Sequence, residues 1–435
     1  MEINTKETRA IINALTTGVV PRIGLRHIAV GRDKEISTFL NDLQGVEEGS
    51  SAFRIVSGRY GSGKSFLLQT IRTNAIERSF IVCDADMSPE RRMTGSSGQG
   101  LATYTELISN LSTKTRQDGG ALESIIQKWI TRIEKDVDNE YPTYSQEKKI
   151  ERIRWKIQSN LENVSELAYG FSFIKVIELY WKALQTGDEY LKRSVLKWLR
   201  GEYTNKLAAR QDLGVDRIID DTTWYDFLKL FAFFVHDIGY KGLLVFLDEG
   251  VNLYKISNKQ SRNSNYEKIL TILNDTMQGK AQYIGVFISG TEQFIYDEER
   301  GLFSYDALRT RLKDTSFAGN IVDYNQPIIK LSIISNEEIY ILLERLVEIH
   351  GEHFKYKHSI EQEEIISFLN IVNSKLGANK FLTPREVTRD FIGVLNILQQ
   401  NPEKNFYELI NRDDFKITIE KEDPDQIDLY ADFEL

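Results

Sequence analysis

Residues Gly58 to Ser65 read G-R-Y-G-S-G-K-S, the spacing G-x-x-x-x-G-K-[ST] of a loop that cradles a polyphosphate. Glycines at 58, 61 and 63 let the backbone close around phosphate oxygens and turn its N–H groups inward. Lys64 is expected to reach the β- and γ-phosphates, and the Ser65 hydroxyl to take one coordination position on Mg²⁺. Tyr60, Ser62 and Phe66 complete the stretch expected to touch the nucleotide. A second group is Leu243-Leu-Val-Phe-Leu-Asp-Glu249, an apolar run that ends in two carboxylates. Asp248 is expected to hold the Mg²⁺, directly or through water, and Glu249 to polarise the water that attacks the γ-phosphate. These residue types in this order predict a chain that binds a nucleoside triphosphate.

Other polar side chains are candidates for completing such a site. Ser289-Gly-Thr-Glu-Gln293 ends an apolar run, and Thr291, with Ser289 as second choice, is expected to position the lytic water and sense the γ-phosphate. In Ala307-Leu-Arg-Thr-Arg-Leu312, Arg309 and Arg311 are either surface-helix arginines or fingers reaching a neighbouring copy's nucleotide. Thr383-Pro-Arg-Glu386 specifies a helix start, with an N-cap residue, proline at the first position and glutamate at the third. Arg385 then sits in a first turn whose dipole favours acidic residues, a conflict that an anion relieves. A γ-phosphate contact is therefore expected of it.

These groups need rigid supports. Five runs read as strands: Phe53–Val56, Phe80–Asp84, Leu243–Asp248, Tyr283–Ser289 and Ile328–Leu331, the last the weakest. Helical segments separate them, which predicts an α/β fold with a mostly parallel sheet. About 160 residues lie between Asp84 and Leu243, far more than one crossover helix requires. The stretch of about 103–238 is read as a helical insertion, with Gly239 as a helix stop. The Gly/Ser-rich loop Met87–Gly100 is expected to be mobile. Ser335-Asn-Glu-Glu338 forms a capping box that opens a smaller helical region. The expected organisation is an N-terminal helical segment over 1–27, a nucleotide-binding domain over 28–334, a helical lid over 335–412 and an acidic tail over 413–435.

Bulk properties narrow the classes. With 435 residues and 41% hydrophobic composition, the chain can build about two or three domains with real cores. No apolar run is long enough to span a bilayer, and the N-terminus lacks the apolar core of a signal peptide. Cys83 is the single cysteine, read as a small buried hydrophobe, and a cytoplasmic location is expected. The net charge of −9 argues against a dedicated nucleic-acid coat, though not against a local basic groove. One basic stretch, Lys148, Lys149, Arg152, Arg154 and Lys156 around Trp155, is read as a solvated helix paired at i,i+4 with Glu147 and Glu151. His350, His353 and His358 are read as a surface helix end without metal-ligand spacing.

Taken together, G-R-Y-G-S-G-K-S, L-D-E, the polar-ended fourth strand, T-P-R-E, and Val-Gly-Arg-Asp-Lys-Glu-Ile36 before the first strand resemble AAA+-like ATPases, nearest the origin-recognition and STAND varieties. The resemblance implies a five-stranded P-loop (ASCE/AAA+-like) sheet of order 5-1-4-3-2 with a helical lid. It places Val30, Gly31 and Arg32 beside the adenine base. Where those ATPases commonly carry asparagine at the fourth strand, this chain offers Ser289 and Thr291. More narrowly, the chain resembles the ATP-binding proteins of bacteriophage-exclusion (BREX) systems, over most of its length. That implies Mg²⁺-dependent ATP hydrolysis in cytoplasmic anti-phage defence, alongside helicase and methyltransferase components. Remodelling of a protein–DNA complex is the leading expectation, and a slow nucleotide-gated scaffold the alternative. Direct DNA contact and homo-oligomerisation stay open.

Overall fold

All five apolar runs become strands, and their pairing sets the geometry of everything else. In the computed structural model, which describes residues 3–313, 323–332, 334–376, 383–412 and 415, they are β1 (Ser51–Ser57), β2 (Ile81–Asp86), β3 (Leu243–Asp248), β4 (Ile284–Gly290) and β5 (Ile328–Lys330). Every pairing is parallel, in the order β2-β3-β4-β1-β5, which is the expected 5-1-4-3-2 order read from the other edge. β4 is buried at every position and β3 at every position before Asp248, as strands covered on both faces must be. β4 starts one residue later than its apolar pattern suggests. Tyr283 takes a left-handed φ of 57° and donates its N–H to the Ser50 carbonyl at 2.9 Å, so it forms a corner rather than a ladder position.

The helices run in chain order as α1 (Thr5–Thr16), α2 (Asp33–Glu47), α3 (Lys64–Glu77), α4 (Gln99–Ser109), α5 (Leu122–Glu140), α6 (Gln146–Asn160), α7 (Glu162–Ser165), α8 (Gly170–Thr186), α9 (Glu189–Leu199), α10 (Lys206–Leu213) and α11 (Trp224–Asp237). After β3 come α12 (Val251–Tyr254), α13 (Lys259–Met277), α14 (Glu292–Tyr296), α15 (Asp306–Leu312), α16 (Asn336–Phe354), α17 (Gln362–Leu376), α18 (Pro384–Gln400) and α19 (Phe406–Ile410). The chain divides into two compact units. One combines Met1–Asp33, Arg59–Thr70 and Leu331–Leu435; the other combines Lys34–Gly58 and Ile71–Lys330.

The larger unit holds the sheet and the helices α4 to α11 that lie between β2 and β3. Helix α11 shows why they fold. Trp224, Phe227, Leu228, Phe231, Phe234 and Val235 recur at helical spacing and are all buried. Phe234 meets Trp129 of α5 and Phe173 of α8 edge-on, at centroid distances of 5.5 and 5.3 Å. The helix stops before Gly239, whose φ of 99° suits glycine.

The smaller unit packs α1, α16, α17, α18 and α19 around their own core, where Ile339, Leu342, Leu343, Leu346 and Ile349 of α16 are buried. Its helix starts are set locally. Ser335 and Glu338 form the expected reciprocal capping box. Thr383 Oγ1 accepts from the Glu386 N–H and donates to the Glu386 carboxylate at 2.7 Å, with Pro384 at the first helical position. Of the expected tail 413–435, residue 415 alone lies among the described residues.

Three expectations require correction. The loop Met87–Gly100 is tied down rather than mobile. The Asp221 carboxylate accepts from the N–H groups of Gly95 and Gly100 at 2.7 and 2.6 Å, and Asn265 Oδ1 accepts from Met93 and Thr94. Both anchors come from distant chain segments, so local composition gave no sign of them. On α6, the basic residues pair across to α5 instead of along their own helix: Lys149 with Asp138 at 2.7 Å and Lys156 with Glu140 at 2.6 Å. Arg152 donates to Tyr141 Oη and lies over the Trp155 ring.

The third concerns the histidines. His350 is fully buried, not at a surface helix end; its Nε2 lies 3.0 Å from Asn396 Oδ1, and its Nδ1 lies 2.8 Å from His358 Nε2. Both bonds are satisfied when each ring is neutral and donates through Nε2. Burial holds His350 below its ordinary value and, with His350 alongside, pushes His358 down to about 4. Folding therefore favours the neutral rings. Their stabilisation is fully present above the unfolded histidine value near 6.5 and is lost as pH falls toward 4. The thermal unfolding midpoint of the native chain is expected to drop further between pH 7 and pH 5 than that of His358→Gln. Equal drops in a calorimetric pH series would remove the pair from this role.

Candidate nucleotide-binding site

In the smaller unit, the loop after β1 is shaped by two glycines and a helix start. Gly61 and Gly63 have φ of 75° and 92°, a region that side-chain-bearing residues seldom occupy. A Cβ on Gly61 would also press to 2.8 Å from Thr383 Cγ2, whereas one on Gly63 would meet nothing within 4 Å. The backbone at Gly63 thus borders open space at the N-terminus of α3, where amide N–H groups and the helix dipole favour an anion. Lys64 Nζ donates to the Arg59 carbonyl at 2.9 Å, within the loop. Ser65 is exposed at the second position of α3, and Tyr60 is more than half exposed. Phe66 packs against the helical core of this unit.

The Val-Gly-Arg segment meets the loop through a side chain. Arg32 is 5% exposed, and its Nη2 donates to the carbonyls of Ser62 at 3.0 Å and Ser332 at 2.8 Å. Gly31 is left-handed at φ 68°, and a Cβ there would collide with the Glu338 carboxylate. Val30 is partly buried against the same helical core. Arg385, in the first turn of α18, donates from Nε to the Gly18 carbonyl at 2.5 Å and from Nη1 to Tyr60 Oη at 3.0 Å. Within this unit, therefore, phosphate loop, Val-Gly-Arg segment and Arg385 come together.

The larger unit carries the acidic pair. Asp248 ends β3, and its Oδ1 accepts from Ser289 Oγ and, at 2.8 Å, from the Glu249 N–H. Glu249 is exposed with a left-handed φ of 58°, an uncommon conformation for a non-glycine residue and one that clusters at functional sites. The Gly250 N–H donates to the Ser289 carbonyl at 2.9 Å, which fixes the turn against the end of β4. Ser289 is fully buried beside Asp248, whereas Thr291 is the N-cap of α14, its hydroxyl accepting from Phe294 N–H at 3.2 Å. Arg309 pairs with Asp306 at 2.6 Å and Arg311 donates to the Ala307 carbonyl, both on their own helix α15.

One neighbour of this pair was not singled out from the sequence. Asp86 ends β2 in register with Asp248. Burial, then the Asp248 and Asp84 charges, raise its carboxyl above the ordinary range, against the lowering effect of Arg91. A carboxylate closing a strand next to β3 was its only signal. Gly58 also belongs to this unit; its N–H donates to the Gly290 carbonyl at 3.3 Å, so the chain enters the phosphate loop from the strand beside β4.

An open, all-parallel five-stranded α/β sheet, with G-R-Y-G-S-G-K-S directly after β1, is compatible with a P-loop core. The sequence model of the BREX system ATP-binding protein BrxC/D family matches residues 3–414, and the chain belongs to that family. Membership implies ATP binding in phage defence. No curated protein matches the chain. Among the described residues, no helix is long and apolar enough to cross a membrane, and no group of three or more His, Cys, Asp or Glu side chains is arranged to hold a metal ion.

Proposed function

We propose that the chain is a Mg²⁺-dependent ATPase whose turnover remodels or regulates a protein–DNA complex in anti-phage defence. The observation that carries this reading lies in the sheet. The chain departs for the phosphate loop from the C-terminal end of β1, Asp248 and Glu249 stand at the C-terminal end of β3, and β4 alone lies between those strands. Ligands of open α/β sheets bind at such strand ends. The donor set fits the ion as well. Mg²⁺ takes hard oxygen ligands and keeps several waters, and the Asp248 carboxylate with the Ser65 hydroxyl supplies that chemistry. When bound, the ion neutralises charge developing on the phosphates.

In this proposal the loop N–H groups and Lys64 hold the β- and γ-phosphates, and Asp248 and Ser65 hold the ion. Glu249 takes a proton from the attacking water as the new O–P bond forms and the γ-phosphate leaves the β-phosphate oxygen, giving ADP and phosphate. Ser289 keeps Asp248 oriented through its hydroxyl, and Thr291, just beyond the end of β4, positions the attacking water. Val30 and Gly31 line the base, and Arg32 fixes the loop beneath it.

A second reading, a slow nucleotide-gated scaffold, is favoured by Arg309 and Arg311 being engaged on α15 itself. One experiment separates the two: ATPase rate with and without duplex or single-stranded DNA, with assembly followed by light scattering. The motor reading expects turnover that DNA or defence partners stimulate. ATP-dependent assembly with negligible turnover under all those conditions would replace it by the scaffold.

A further inference from the structure

We infer that Tyr60 is a specificity-determining residue, which competes with the terminal phosphate of ATP for Arg385 and so tempers the preference for ATP over ADP. The inference rests on reading residues 58–65 as the nucleotide cradle. Arg385 is fixed at its root, because Thr383 caps α18 and Pro384 sets its first turn. Its guanidinium donates to the Gly18 carbonyl at 2.5 Å and to the neutral Tyr60 Oη at 3.0 Å. Gly18 has a left-handed φ of 72°, and a Cβ there would lie 3.4 Å from Arg385 Nε. That contact is therefore built into the backbone.

The Tyr60 contact is of another kind. Tyr60 belongs to the phosphate loop itself and is 56% exposed, so its hydroxyl has water as an alternative partner. A phosphate oxygen forms a charge-assisted bond with a guanidinium, roughly twice as strong as the bond to a neutral hydroxyl. Exchange of Tyr60 Oη for a phosphate oxygen at Nη1 is thus favourable, while loss of the tyrosine bond subtracts from the affinity gained. ADP lacks the third phosphate and binds without the exchange. The hydroxyl consequently penalises ATP alone, by the weight of one hydrogen bond.

Calorimetric titration of the full chain with ATP and with ADP, in EDTA to prevent turnover, tests this. Tyr60→Phe is expected to tighten ATP about 3–10-fold and leave ADP unchanged, the span of one net hydrogen bond. In an Arg385→Ala background the same substitution should change neither affinity, because the competition has gone. Joint movement of ATP and ADP, weaker ATP binding, no change, or an effect that persists without Arg385 would each overturn the inference. Lys64→Ala serves as the control on the cradle. If the native chain binds ATP and Lys64→Ala does not, an unaltered Tyr60→Phe sinks this inference alone. Native binding that survives Lys64→Ala undiminished sinks the cradle reading with it.

Discussion

Glu249→Gln is expected to lower ATP turnover by ~10²–10⁴-fold, the usual scale for a positioned acid–base group, while ATP affinity stays within about twofold. Glutamine keeps the size and polarity of glutamate but cannot take up a proton from water. The geometry around the residue makes this a clean change. The Glu249 backbone is held from both sides, by its N–H to Asp248 Oδ1 and by the Gly250 N–H to the Ser289 carbonyl. Its side chain is exposed, so no packing is lost. Single-turnover hydrolysis measured beside equilibrium ATP binding checks both halves. Undiminished turnover would assign the base elsewhere.

The second large effect is on binding. Lys64→Ala is expected to weaken ATP by ~10–100-fold, the loss of one charged hydrogen-bonding group on a polyphosphate. Lys64 also donates to the Arg59 carbonyl, so its removal loosens the loop that it spans. Lys64→Arg tests whether charge alone suffices. A planar guanidinium does not reproduce a compact ammonium, and recovery is expected to be partial. Equal ATP affinity in the native chain and Lys64→Ala, by calorimetry, would remove the lysine from the phosphates.

Much of the architecture was legible because it is written at short range. Buried parallel strands need continuous apolar runs, and all five appeared as such, within a few residues of their bounds. The capping box at Ser335 and the N-cap at Thr383 were readable for the same reason, since a cap and its partner lie three residues apart. Tyr283 marks the limit. Its aromatic side chain fits a strand, but the backbone turns left-handed there to begin the ladder from Ser50.

Long-range polar pairing was not legible. Nothing near Met87–Gly100 announces Asp221, nothing near His350 announces Asn396, and the lysines of α6 find α5 carboxylates rather than their helical neighbours. The choice between Ser289 and Thr291 shows the same division. Both stand at the end of β4 as polar residues of similar chemistry. Their environments differ: Ser289 faces Asp248 across adjacent strands, and Thr291 accepts the Phe294 N–H at the start of α14.

The sequence by itself determined the residue types proposed here to meet phosphate and metal, the strands that carry them and the helix start that carries Arg385, because each depends on neighbours within one turn or one strand. Tertiary structure decided which hydroxyl Asp248 engages, where Arg32 and Arg385 direct their guanidinium groups, and which carboxylate stands next to Asp248. Those choices follow from the order in which parallel strands pair and from helices packed across long stretches of chain. A hydrogen bond takes whichever partner the fold brings within about 3 Å, however far apart the two lie in the chain.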